Sequence, residues 1–369
     1  MNSDTYSIST DDNIKTYNTH SYSSLDHFYN DIRTVLKFDM EFNESLDEII
    51  FPKNLNIITF GYCFNQPLDN VTFPKKLKTL TFGYTFNHPI DKIKFPDNLQ
   101  IIIFGHNFNQ SLDKAHLPKH LQKLTFEGCF NQLLDNIKFP SNLQYIDFGP
   151  SFNKSLNKVS FPTSLQHITI GKLVTITQTL VASNSERAVL FDDSQHTILP
   201  KNLLSITFND FYNVPLNNII FPESLQIITL GGSFNKSLDD VNLPNNIHTI
   251  NFGLWFNQSL DKVNLPLNLQ TIRFGHWFNN SLDKVKFPPN LQSIIFGSRY
   301  DQPLNNLPSS IEKLEFHTIN MDITNLPSSV KQIKVTTDVF FFTTSTKKLL
   351  KIPYGCKVID ANDNEIKIE

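Results

Sequence analysis

The stretch FPKNLNIITFGYCFNQPLDN, residues 51–70, decides the fold because the chain writes it out repeatedly. The next copies are FPKKLKTLTFGYTFNHPIDK from Phe73 and FPDNLQIIIFGHNFNQSLDK from Phe95. A proline opens each copy and a Phe-Asn pair lies near its middle, with a period of about 22 residues. A fixed period of this length predicts a solenoid, in which each coil buries its apolar side chains against its two neighbours.

Within each copy, the segment L-x-x-I-x-F predicts a short strand; Leu143, Ile146 and Phe148 are one example. Its last positions alternate between inward and outward, and Gly149 and its equivalents end it. The second half, F-N-x-x-L-D-x-V-x-F-P, has no helical spacing and leaves room for a second short strand before the proline. We therefore expect a mainly β solenoid of about 12–13 coils, with a parallel sheet along one face.

The pattern also sets the domain boundaries. Residues 1–30 are polar and without periodicity, which predicts a disordered N-terminal arm. The repeat solenoid covers residues 31–335 and is interrupted at about 171–199, either by an inserted loop or by one degenerate coil with an insertion. Residues 336–369 no longer repeat and are expected to cap the last apolar face.

Composition narrows the classes of partner and the compartment. The net charge of −3 comes from interspersed acids and bases, so no basic stripe is available for nucleic acid. No apolar run reaches the length of a membrane span, and the first residues lack the apolar region of a secretory signal. Three cysteines do not make a disulfide framework. These features favour an intracellular, cytoplasmic protein that binds neither nucleic acid nor membrane.

The unit F-P-x-x-L-x-x-I-x-F-G-x-x-F-N-x-x-L-D resembles the FNIP repeat, which is found in tandem in proteins of social amoebae and giant viruses. That family is similar to leucine-rich repeats, so the resemblance implies a leucine-rich-repeat-like solenoid over roughly residues 35–335. Some members carry an F-box before the array and would act in ubiquitin ligases. We expect no F-box here, because the residues before the array are few and polar.

Two polar columns of the repeat have structural interpretations. The Asn of each Phe-Asn pair is expected to be buried and to bond backbone groups of its own and neighbouring coils. The Asp seen at Asp69, Asp91 and Asp113 would stack at about 5 Å, so it needs a neutralising partner. Calcium held between coils is one possibility. Asx-turn capping with charge balance from a following lysine is the favoured one.

Function is expected at the positions that the repeat leaves free, on the outward sheet face and in the variable pair before each Phe-Asn. The two tryptophans of the chain share one column in adjacent coils and should stack side by side. They form a binding site, because tryptophan is enriched at interface hot spots, or they only fill local gaps in the packing of the coil. The candidate partner-binding residues are Tyr62, Tyr84, His106, Tyr145, His167, Trp255, Arg273, His276 and Trp277.

No catalytic or metal-binding motif is present. The histidines are scattered, without HExxH or Cys-His metal spacing, and no phosphate-binding loop or nucleophile elbow occurs. We therefore expect no catalytic, metal or cofactor residues and a non-enzymatic scaffold for a protein partner. The alternatives are a substrate-recognition subunit of a ubiquitin ligase and a calcium- or polysaccharide-binding β-solenoid. An enzyme would need a deep polar pocket beside residues 171–199.

Overall fold

The computed structural model describes residues 14–17, 34–171, 197–337 and 345–366. The chain divides into two compact units, Met1–Phe148 (unit 1) and Gly149–Glu369 (unit 2). In both units the repeat forms strand-and-turn coils, and the fold is a parallel β-solenoid of about 13 turns. The strong periodicity of the sequence is therefore expressed as one short strand in each coil.

The strands are two to four residues long. They are β1 (Ile14–Tyr17), β2 (Val35–Phe38), β3 (Ile57–Thr59), β4 (Thr79–Thr81), β5 (Ile101–Phe104), β6 (Lys123–Phe126), β7 (Tyr145–Asp147), β8 (His167–Ile170), β9 (Thr197–Ile198), β10 (Ser205–Phe208), β11 (Ile219–Ile220), β12 (Ile227–Thr229), β13 (Thr249–Asn251), β14 (Thr271–Arg273), β15 (Ser293–Phe296), β16 (Lys313–Phe316), β17 (Gln332–Val335), β18 (Lys357–Ile359) and β19 (Glu365–Ile366).

In unit 1 the strands β2 to β7 pair in parallel and in register, each with the strand of the next coil. Strand β1, which lies within the predicted N-terminal arm, pairs in parallel with β2. The register brings equivalent residues together, as where Ile58 faces Leu80. Identical side chains therefore stack in columns along the unit.

In unit 2 the same pairing runs from β8 through β10 and then from β12 to β18. Strand β8 pairs directly with β10, so no strand lies between them in this sheet. Residues 172–196 of the interruption lie outside the described part of the chain. At the C-terminal end, β19 turns back antiparallel to β18.

Among the described residues, the second strand that the repeat allows forms in two adjacent coils, as β9 before Pro200 and β11 before Pro222. Strand β11 precedes Pro222 and pairs in parallel with β9. In other coils the equivalent residues have no regular secondary structure and lie between two turns; residues 71–74, between the turns at 69–70 and 75–76, are one example. The polar and proline residues of this half-coil are poor strand formers, and tight turns satisfy the backbone instead.

The core consists of aromatic and aliphatic columns. The strands alternate between partly exposed and buried residues, so their inward Ile, Leu and Phe side chains face the interior. Phe104 and Phe108 stack within one coil at 4.0 Å between ring centroids, and Phe108 lies 6.1 Å from Phe86 of the preceding coil. Burying each such ring stabilises the fold by roughly 1.5–3 kcal/mol, which explains why phenylalanine is so frequent.

Glycine ends many of the strands because the stacked backbones approach closely there. A Cβ atom on Gly83 would lie 1.8 Å from the carbonyl oxygen of Gly61, and one on Gly253 would lie 1.8 Å from that of Gly231. The sharp corner after the strand therefore depends on the absence of a side chain.

Candidate functional site

The variable pair before each Phe-Asn forms a turn on the edge of the coil, here called the rim, with a first and a second rim position. Tyr62 and Cys63 hold these positions in one coil, and Leu254 and Trp255 hold them in another. The second residue donates its backbone N–H to the first residue of the preceding coil: Thr85 to Tyr62 at 3.1 Å and Trp277 to Leu254 at 3.0 Å. These bonds hold the rim turns in a regular stack.

The rim of unit 1 carries an aromatic stack at the first rim position. Tyr62 and Tyr84 lie 4.5 Å apart with ring planes 10° from parallel, and Tyr84 and His106 lie 4.6 Å apart at 5°. The two tyrosines are 45% and 38% exposed. The stack ends at Gly128, where a Cβ atom would lie 2.3 Å from Nδ1 of His106. Three of the predicted residues thus form one continuous surface.

The rim of unit 2 carries its stack at the second rim position. Trp255 and Trp277 lie 4.9 Å apart with planes 7° from parallel, so the predicted stacking is confirmed. They are 50% and 36% exposed, which is more than side chains that only fill a gap would show. His276 meets Trp277 edge-on at 5.3 Å and 72°. Its Nδ1 also lies 3.0 Å from the Ser298 hydroxyl.

The residue that completes this stack was not among the predicted site residues. The guanidinium of Arg299 lies over the Trp277 ring, 4.7 Å from its centroid. This cation–π contact covers the face of Trp277 that is turned away from Trp255. Extending the tryptophan column by one coil would have found Arg299, because it holds the second rim position before Tyr300.

The remaining predicted residues lie on the outward sheet face of their own unit. On β7, Tyr145 accepts the Lys123 ammonium over its ring at 4.7 Å. On β8, His167 Nδ1 lies 2.6 Å from the Ser205 hydroxyl of the next coil. Arg273 ends β14 with an exposed side chain. The contacts of Tyr145 and His167 are explained by packing between neighbouring coils.

The asparagine column links the coils by hydrogen bonds, as predicted. The backbone N–H of Asn87 donates to Oδ1 of Asn65 at 2.9 Å, and that of Asn109 donates to Oδ1 of Asn87 at 2.9 Å. In unit 2, Asn279 donates in the same way to Asn257 at 2.9 Å. The expected burial was wrong, because these side chains are exposed or half-buried. The column lies at the coil edge, where one side faces solvent.

The aspartate column differs from the expectation of Asx-turn capping. In five coils of the described part of the chain, a serine two residues earlier accepts the backbone N–H of the aspartate; Asp261 donates to Ser259 at 3.1 Å and Asp283 to Ser281 at 3.2 Å. The serine hydroxyl therefore closes the turn. Charge balance occurs at Lys92, whose ammonium lies 3.6 Å from Asp69. Within the described residues, no group of three or more His, Cys, Asp or Glu could hold a metal ion.

One open groove lies along the outer edge of the unit 2 sheet. It has a volume of about 430 Å³, and amide side chains from successive coils form much of its lining, with Gln226, Asn246 and Asn268 among them. His248 also lines it, with Nδ1 2.9 Å from the Thr249 hydroxyl. Its lining is mostly amide and contains no carboxylate.

Displaced pKa values arise in the core and near the C-terminus. Burial raises the pKa of the Tyr212 phenol, and burial together with Asp283 and Asp301 raises that of Tyr300. Burial raises the pKa of the Cys356 thiol to about 11. A thiol in that range carries little thiolate at neutral pH, so it is a poor nucleophile.

Two solved structures that resemble this fold show its class. CroV588, a circular leucine-rich-repeat protein of a giant virus, aligns at 28% identity with a TM-score of 0.56, over 82% of this chain and 50% of its own. Toll in its complex with Spätzle, from Drosophila, aligns at 11% identity with a TM-score of 0.53, over 90% and 49%. This chain spans about half the length of each protein. The fold is a leucine-rich-repeat-like solenoid.

Two family models match the repeats of the sequence. The FNIP repeat model matches residues 42–85, 64–106, 86–129 and 130–173, and the BspA type leucine-rich-repeat region matches residues 191–300. FNIP repeats therefore occur in this chain over residues 42–173, as its sequence predicts. No curated protein matches the sequence.

No helix in the described part of the chain is long and apolar enough to cross a membrane.

Proposed function

We propose that this solenoid is a non-enzymatic scaffold that binds a protein partner through its exposed aromatic rims and the adjoining sheet face. The observation that carries this proposal is the stacking of exposed rings on both units, at Tyr62–Tyr84–His106 and at Trp255–Trp277. Monomeric proteins seldom expose contiguous large aromatic groups without a partner. Tyrosine and tryptophan also dominate the binding energy of interfaces, which supports this assignment.

The rims are ready to bind without reorganisation. Backbone hydrogen bonds fix the turns, and stacking fixes the rings, so little side-chain entropy remains to be lost on association. The exposed surface also combines apolar ring edges with polar groups such as the imidazole of His276. This mixture is typical of the centre of a protein interface.

A selection of random peptides against the full chain tests the proposal. The enriched peptides are measured by fluorescence polarisation against the wild type, Trp255→Ala with Trp277→Ala, and Tyr62→Ala with Tyr84→Ala. We expect at least one pair to weaken binding about tenfold or more, because aromatic hot spots carry most of an interface. Leu133→Ala, at an exposed leucine outside the rims, is the matched control.

The proposal is wrong if every enriched peptide binds both double variants as tightly as the wild type while hydrogen exchange shows an intact fold. The aspartate column suggests calcium binding as the alternative function. Calorimetric titration with calcium separates the two, because tight and stoichiometric uptake would favour a calcium-binding solenoid.

A further inference from the structure

The rim of unit 2 contains a notch where one coil lacks large side chains. Its rim pair is Gly232-Ser233, whereas the preceding coil has Asp210-Phe211 and the following coil has Leu254-Trp255. The flanking apolar groups are open to solvent: Phe211 is 65% exposed, Leu254 49% and Trp255 50%. The second rim position therefore reads Phe211, Ser233, Trp255, Trp277 and Arg299, with a gap at Ser233.

The backbone stack continues through the notch without a break. Ser233 donates its N–H to the Asp210 carbonyl at 2.7 Å, and Trp255 donates to the Gly232 carbonyl at 2.8 Å. Adjacent coils are about 4.8 Å apart, as in any parallel sheet, so Phe211 and Trp255 are separated by about 10 Å along the stack. Occupied neighbours in this column stack at 4.9 Å. The notch thus has the width that one more planar group would fill.

A carboxylate lies at the edge of the notch. Asp210 is exposed, and its Oδ1 accepts the backbone N–H of Gly232 at 3.1 Å, which holds the carboxylate beside the gap. Within the described residues, Asp210 forms no ion pair. A ligand that fills the gap therefore meets a ring on each side and a negative charge at the edge.

A guanidinium group combines the properties that this environment selects. It is planar, it stacks on aromatic faces and it is always positively charged, whereas the ammonium of lysine is not planar. The same column already shows the arrangement two coils beyond Trp255, where Arg299 stacks on Trp277 at 4.7 Å. An aromatic ring would fill the gap but would leave the Asp210 charge without a partner.

We propose that the notch between Phe211 and Trp255 binds an arginine side chain of the protein partner, with Asp210 as its counter-ion. The proposal rests on the proposed function and makes it specific, because it names the partner's anchoring residue. The rim of unit 1 has no equivalent gap between Tyr62, Tyr84 and His106, since their rings stack coil after coil. Arginine recognition is therefore assigned to unit 2.

An NMR titration of the two indole N–H signals tests this proposal on the full chain. The chain has two tryptophans, so Trp255→Phe and Trp277→Phe assign the two signals. The probes are the N-acetyl amides of arginine, lysine and tyrosine. We expect the arginine probe to shift the Trp255 signal saturably and the Trp277 signal less, because Trp255 and Arg299 cover the faces of Trp277. We expect the lysine probe at equal concentration to cause a much smaller shift.

Two variants test the gap and the charge of the notch separately. Ser233→Phe places a ring in the gap and should abolish the response to arginine, whereas Cys63→Phe, at the second rim position of unit 1, should leave it unchanged. Asp210→Asn keeps the shape and removes the charge, so the affinity for arginine should fall roughly two- to fivefold.

Three results would overturn the proposal: no shift of Trp255 with arginine, equal shifts with arginine and lysine, or a response to tyrosine that exceeds the response to arginine. A response that survives Ser233→Phe would also contradict it. These outcomes concern only the notch, whereas the peptide selection reports on the rims as a whole. Failure of the arginine site can therefore be told apart from failure of the scaffold function.

Discussion

The rim of unit 1 carries Tyr62, Tyr84 and His106 at the first rim position, whereas the rim of unit 2 carries Trp255, Trp277 and Arg299 at the second. Both units stack their rings at between 4.5 and 4.9 Å, because the coil spacing sets the distance. The difference lies in charge and in continuity: unit 1 offers an unbroken stack of two phenols and an imidazole, and unit 2 offers a guanidinium, a carboxylate and a gap. The repeat thus fixes where rings stack, and the free positions determine what they recognise.

The cores of the two units also differ in detail. In unit 1 the Phe104 column continues as phenylalanine from Phe38 to Phe148, whereas the same column in unit 2 contains Leu230 and Ile170. The neighbouring column is entirely phenylalanine in unit 1, while Tyr212 and Tyr300 enter it in unit 2. Unit 2 therefore tolerates more variation inside as well as on its rim.

The largest expected effect comes from removing a ring of the core in each unit. Phe104→Ala in unit 1 and Phe274→Ala in unit 2 both delete a buried ring, so each should lower the free energy of unfolding by about 3–5 kcal/mol. Denaturant titration gives the loss, and hydrogen exchange shows which amides lose protection. We expect the loss of protection to centre on the unit that carries the change. Equal loss of protection in both units would show that the two units do not respond separately to the loss of a core ring.

A smaller effect is expected at Tyr300, whose hydroxyl is buried without a hydrogen-bond partner among the described residues. Tyr300→Phe removes this unsatisfied group and leaves the ring stacked on Phe278, so stability should rise by about 1–2 kcal/mol. The reverse change, Phe86→Tyr, places a hydroxyl in the same column of unit 1 and should cost a similar amount. A drop in stability for Tyr300→Phe in the same denaturant titration would contradict this account.

The smallest effect is expected in the asparagine column, where the two units are alike. Asn87→Ala and Asn257→Ala each remove the acceptor for the backbone N–H of the next coil, which should cost about 1 kcal/mol in either unit. Asn87→Asp keeps the Oδ1 acceptor and should retain most of the stability at neutral pH. Thermal unfolding measures all three. Unequal losses for the two alanine variants would show that the units use this column differently.

Much of the fold could be predicted from the sequence because period and burial are coupled in a solenoid. Residues one period apart occupy equivalent places in adjacent coils, so the stacking of Trp255 on Trp277 followed from their spacing alone. Short strands followed from the alternation at Leu143, Ile146 and Phe148. The solvent exposure of the asparagines did not follow, because a column that bonds between coils can lie inside the coil or at its edge.

The rest of the candidate site depends on side-chain chemistry that the period does not encode. Arg299 was missed because it shares a column with the tryptophans without sharing their residue type. The gap at Ser233 was missed because it is an absence, visible only when the neighbours Phe211 and Trp255 are known to be exposed. The sequence does not distinguish a turn closed by a serine hydroxyl from one closed by an aspartate carboxylate, because either oxygen can accept a backbone N–H two residues later.

The asparagine column has a consequence for how the length of the array can change. Each Oδ1 meets the N–H of the residue 22 positions later, and the donor is in turn an acceptor for the coil after that. Removing residues 86–107 would bring Asn109 opposite Asn65, so every donor would again find an acceptor. Recombination between repeats can therefore change the number of coils while the bonding pattern stays closed, provided that whole periods are exchanged. The same deletion would also shorten the aromatic rim, so each gain or loss of a coil is also a change of binding surface.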